Sequence, residues 1–96
     1  MARIFVEPHA NSNVKILIKL AIENELKVIG FGIAKTKRKL EELEKKFGMN
    51  SKDFYKNFNE GKMGDDREYI HWAGEYETLQ QLKVDQKDLL EAELCS

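Results

Sequence analysis

Hydrophobic and polar positions follow two different periods along this chain. Ala2-Arg-Ile-Phe-Val-Glu7 is a short β-branched and aromatic run, stopped by Pro8, which has no N–H to donate to a ladder. Its alternation puts Ile4 and Val6 on one face and Arg3, Phe5 and Glu7 on the other, which predicts a first strand. Over 13–25 the period changes. Val14, Ile16, Leu17, Ile18, Leu20, Ala21 and Ile22 leave Lys15, Lys19 and Glu23 as a polar stripe at steps of four. The spacing predicts a helix from Asn13 to Glu25, capped by Asn11 or Ser12 and apolar round most of its circumference. Lys27–Ile33 then returns to alternation, with Ile29, Phe31 and Ile33 against Val28, Gly30 and Gly32, and predicts a second strand. A strand–helix–strand of this length reads as a βαβ crossover with parallel strands. Two strands are marginal alone. Pairing with a second copy would complete a four-stranded sheet and cover the apolar helix.

The remainder reads as helical. Thr36 is placed to cap a helix from Lys37 to Phe47, with Leu40, Leu43 and Phe47 inward and Gly48 just past its end. Asn50 or Ser51 opens a short helix bearing Phe54, Tyr55 and Phe58, and Gly61 closes it. Asp65 is placed to cap a last helix from Asp66 to Glu91, with Glu68 reaching back to complete the capping box. At 1.5 Å per residue that helix would run roughly 40 Å. The expected fold is therefore α+β: a β-α-β dimerisation segment over 1–34, then three helices over 35–96, in one compact domain.

Composition narrows the function. Sixteen Lys and Arg against seventeen Asp and Glu give a net charge of −1 in 96 residues. That balance argues against non-specific binding to nucleic acid or anionic membranes, which needs a clear cationic excess. One cysteine, Cys95, excludes an internal disulfide. Lys15 and Lys19 interrupt the Val14–Ile22 run, which is too short to span a bilayer, so a cytoplasmic protein is expected.

Candidate chemistry is sparse. Glu68-x-x-His71 with Glu75 has the spacing of half a di-iron site, but the chain holds one such motif where two are needed, so no metal is expected. Gly30-x-Gly32 lacks the third glycine of a dinucleotide loop and the Gly-Lys-Ser/Thr of a phosphate loop. No cofactor and no enzymatic activity are expected. Lys35, Lys37, Arg38 and Lys39 form the one basic cluster, read as sitting at a helix start, where cations oppose the macrodipole and free N–H groups suit a phosphate. Tyr69, Trp72, Tyr76 and Leu79 share one face of the long helix, as core or as an anchor for a protein partner.

Three strings together resemble a known group: Glu44-Lys-Lys-Phe-Gly-Met-Asn-Ser-Lys-Asp-Phe-Tyr-Lys-Asn-Phe58, Gly61-x-x-Gly-Asp-Asp66 and Ile70-His-Trp-Ala-Gly-Glu-Tyr-Glu77. Over Leu40–Leu82 the chain is similar to small archaeal and bacterial proteins of antitoxin type. In these, a Phe-Gly-Met turn leads to a Ser-x-x-Phe helix, a Gly-Asp-Asp turn and a Trp-bearing helix. The resemblance implies a non-enzymatic interaction module that folds against an RNase-like toxin. The expectation is thus a homodimer that binds a toxin through Tyr69, Trp72, Tyr76 and Leu79. The alternative is a small nucleic-acid-binding regulator using Lys35–Lys39.

Overall fold

The computed structural model describes residues 12–95, and these form three helices: α1 (Ser12–Phe47), α2 (Ser51–Asn59) and α3 (Arg67–Cys95). No strand occurs among the described residues, which overturns the α+β expectation and its β-α-β unit. The first predicted strand, Ala2–Glu7, lies outside the described residues. The second, Lys27–Ile33, is the middle of α1, so the boundary drawn between 34 and 35 falls inside one unbroken helix.

The reason lies in a spacing longer than the alternation. Ile22, Leu26, Ile29, Ile33, Thr36, Leu40, Leu43 and Phe47 recur at alternating steps of four and three, and all are buried or half-buried. A seam of that period belongs to a helix lying along another helix. Gly30 and Gly32 each cost such a helix about 1 kcal/mol in propensity, which burial of the seam overrides. Gly32 also permits a close approach: a Cβ there would lie 3.3 Å from Leu82 Cδ1. Thr36, predicted as a cap, is instead a buried residue of this seam.

α3 answers with Leu79, Leu82, Gln86, Leu89 and Glu93, buried or half-buried at the same alternating steps. The two long helices run antiparallel. Lys46 meets Glu68, Lys39 meets Glu75 and Gly32 meets Leu82, each pair seven residues back on α1 and seven forward on α3. With 36 residues, α1 is about 54 Å long, close to the 56 Å length of the described residues. The result is a two-helix stem with a three-helix head at one end.

Local chemistry builds the head. α1 stops at Phe47, where Gly48 takes φ 66°, a conformation that suits glycine. Asn50 caps α2, its side-chain oxygen accepting from the Asp53 N–H at 2.8 Å. The Ser51 N–H donates to Glu44 Oε2 at 2.6 Å, so a carboxylate of α1 sits at the positive end of α2. α2 ends with the Lys62 N–H bonded to Asn57 O and the Gly61 N–H to Phe58 O. Gly61, with φ 76°, supplies the left-handed residue this closing motif requires. At α3 the cap is Asp66 rather than Asp65, its Oδ1 accepting from the Glu68 N–H at 2.8 Å. Glu68 does not reach back; its carboxylate takes Lys46 Nζ.

Candidate functional site

Trp72 is the centre of the head, fully buried at 0% exposure. Its ring stacks on Phe54 with centroids 3.8 Å apart and planes 6° from parallel, and Phe47 packs against it at 5.5 Å. Its indole N–H donates to Ser51 Oγ at 2.9 Å, so the polar edge of the ring is satisfied within the core. Leu40, Ala73 and Leu79 complete the buried cluster.

Of the four residues expected to grip a partner, Trp72 and Leu79 therefore have no surface to offer in this conformation. Tyr69 and Tyr76 are half-buried at the rim of the core. Tyr69 meets Phe47 edge-on at 5.3 Å, and Tyr76 packs on Tyr55 at 4.8 Å. The Tyr55 hydroxyl donates to Glu77 Oε1 at 2.8 Å, and this bond raises the Tyr55 pKa above its ordinary 10.0, against a smaller lowering by a bond with Asn59.

The basic cluster is not at a helix start. Lys35, Lys37, Arg38 and Lys39 lie in the interior of α1, whose backbone N–H groups are already used in the helix. At 100° per residue, Lys37 stands about 160° round the helix from Lys35. Lys39 is committed across the stem to Glu75 at 3.4 Å. Lys35 and Arg38 remain as exposed neighbours on the outer face.

The Glu68, His71, Glu75 edge is likewise committed. Lys46 holds Glu68 at 2.7 Å, while Glu75 faces both Lys39 and, at 3.8 Å, His71 Nε2. Among the described residues no group of His, Cys, Asp or Glu is arranged to hold a metal ion. A recess of about 370 Å³ beside Glu41, Glu44, Gly48 and Met49 is open and shallow, and Glu44 there is engaged with Ser51. No described helix is long and apolar enough to cross a membrane.

What stands out instead is apolar side chain left in water on the stem. Phe31 is 76% exposed, and Ile16, Leu17, Leu20 and Val28 are each more than half exposed. At 100° per residue, Leu20 and Phe31 lie about 160–180° round α1 from Ile22, on the side away from α3. On α3, Leu90 and Leu94 form a second exposed pair near its C-terminal end. The apolar circumference of 13–25 calls for cover on more than one side, but the alternation over 27–33 makes strand residues of Val28 and Phe31. Extending the helical period through Phe31 is the signal that joins them to Leu17 and Leu20.

Comparison of the chain with protein-family models, curated proteins and solved structures yields no match.

Proposed function

We propose that this chain is a non-enzymatic protein-interaction module of antitoxin type, which uses the stem rather than the head to bind other proteins. The observation that carries this is the uncovered apolar surface on the stem, with Phe31 the most exposed aromatic among the described residues. A contiguous apolar patch on a helix face costs hydration free energy until another surface covers it, and marks interaction sites. The head, by contrast, has a closed aromatic core and ion-paired carboxylates, which leaves it a scaffolding role. The resemblance of Leu40–Leu82 makes an RNase-like toxin the partner class to test first.

The test is growth rescue. The wild-type chain is co-expressed with small RNase-like proteins, beginning with any encoded beside its gene, and is expected to relieve the growth arrest that one of them causes. Phe31→Asp, and Leu90→Asp with Leu94→Asp, put charge onto exposed stem positions without touching the Trp72 core. Each is expected to reduce protection while far-ultraviolet circular dichroism stays helical. Full protection by both variants would overturn the stem as the binding surface.

A further inference from the structure

The outer face of α1 has a symmetry that identifies one of its occupants. Around Asn24, Leu20 stands four residues before and Val28 four after, Leu17 seven before and Phe31 seven after. The five are exposed, and their spacing is that of a helix–helix seam on the face opposite α3. A sequence apolar at −7, −4, +4 and +7 about a central residue is complementary to itself run backwards. That is the requirement of an isologous two-fold interface, in which residue i meets j and j meets i.

We infer that two copies of this chain pair through the outer faces of α1, antiparallel, with the two-fold axis at Asn24. In that register Leu17 packs beside the second copy's residue 31 and Leu20 beside its residue 28, giving an apolar strip about 21 Å long at 1.5 Å per residue. Charge agrees with the register. Glu23 and Lys27 lie on one flank of the strip, and the two-fold sets each carboxylate near the other copy's ammonium group, twice. In the parallel alternative the two copies of this flank lie on opposite sides of the strip, and the pairing is lost. At the centre the two Asn24 amides, each both donor and acceptor, can bond to one another, and a single polar residue in an apolar seam fixes its register. This rests on the reading of the stem as an interaction surface and names a second copy as the occupant of its α1 face. Leu90 and Leu94 of α3 are left for the toxin-class partner, so Phe31→Asp lowers protection by separating the two copies and not by removing a contact with that partner.

The test uses the full chain. Light scattering at tens of micromolar is expected to return twice the 11.2 kDa of one chain. Leu20→Asp is expected to return the single-chain mass while Trp72 emission stays that of a buried indole. In a Cys95→Ser background, Asn24→Cys is expected to form an interchain disulfide under mild oxidation. Ala34→Cys, also exposed on α1, is expected to remain reduced, since antiparallel pairing sets the two copies of that position about 30 Å apart at 1.5 Å per residue. A single-chain mass for the wild type would overturn the inference, and equal cross-linking at both positions would overturn the antiparallel register. A wild-type monomer whose toxin protection is nonetheless lost with Phe31→Asp would assign this face to a different protein: self-pairing would fall and the proposed function would stand.

Discussion

The indole N–H of Trp72 donates to the hydroxyl of Ser51 across 2.9 Å inside a core from which water is excluded. Ser51 opens α2, and Trp72 sits in the second turn of α3, so this one bond ties the angle between the two helices to the seating of the aromatic stack. The same Ser51 gives its backbone N–H to Glu44 of α1. All three helices thus meet at one residue.

Trp72→Ala should be among the most damaging single changes, costing roughly 3–5 kcal/mol through lost burial and the cavity left between Phe47 and Phe54. Ser51→Ala keeps the packing but strands a buried N–H, for about 1–3 kcal/mol. Urea unfolding followed by Trp72 fluorescence measures Ser51→Ala directly, and circular dichroism serves for Trp72→Ala. Equal stability of Ser51→Ala and wild type would mean that the indole N–H finds water, contrary to its burial.

The head was largely legible from sequence because each of its boundaries carries its own chemistry. Gly48 ends α1, Asn50 caps α2, Gly61 closes it, and Asp66 starts α3 one residue later than expected. The stem was not, because α1 runs through a stretch that satisfies two periods at once. Ile29, Phe31 and Ile33 alternate like a strand, while Ile29 and Ile33 also continue the four–three seam from Ile22 to Phe47. Seven residues cannot arbitrate between those periods. Twenty-six can, since an isolated two-stranded unit has little to bury against, whereas the seam finds Leu79, Leu82 and Leu89 on α3.

Helical placement of that stretch makes a sharp prediction for its two glycines. Gly30 has open space where a Cβ would go, so Gly30→Ala should stabilise the chain by about 0.5–1 kcal/mol through helix propensity and a less flexible unfolded state. Gly32→Ala starts with the same gain, but its methyl meets Leu82 Cδ1 at 3.3 Å, so Leu82 must move and the net gain should be smaller. Chemical denaturation midpoints of the two variants check the order. A loss of stability in Gly30→Ala would contradict a continuous α1.

Tyr55 gives the fold a signature at high pH. The Glu77 carboxylate accepts the Tyr55 O–H, which favours the neutral phenol in the folded chain and raises its pKa above 10.0. A folded pKa above the unfolded one means the contribution is fully present below pH about 10 and disappears as the pH climbs through the folded value. Absorbance titration at 295 nm should show a late-ionising tyrosine in the wild type. Glu77→Gln should move that component to lower pH, and Tyr55→Phe should remove it. A late component that persists in Tyr55→Phe would assign it to another tyrosine.

The basic residues of α1 separate the two ways this chain could act on others. Lys39 lies against Glu75 across the stem, with its own side chain 44% exposed, so Lys39→Gln should cost no more than about 1 kcal/mol. Lys37 and Arg38 are exposed in the helix interior, away from either terminus, so their replacement by Gln should change stability by less than about 0.5 kcal/mol. If these cations held phosphates, the triple variant would bind DNA or RNA more weakly on every sequence. Its slope of log K against log salt would also flatten by roughly one unit for each phosphate no longer neutralised. The geometry argues otherwise, because Lys37 points away from Lys35 and Lys39 is already paired. Lys37→Gln, Arg38→Gln and Lys39→Gln together should therefore leave toxin protection intact, since the apolar residues proposed to carry it are untouched. Growth rescue by the triple variant, measured beside Phe31→Asp, decides the matter: loss of protection in the triple variant with retention in Phe31→Asp would move the partner surface from the apolar residues of the stem to its cations.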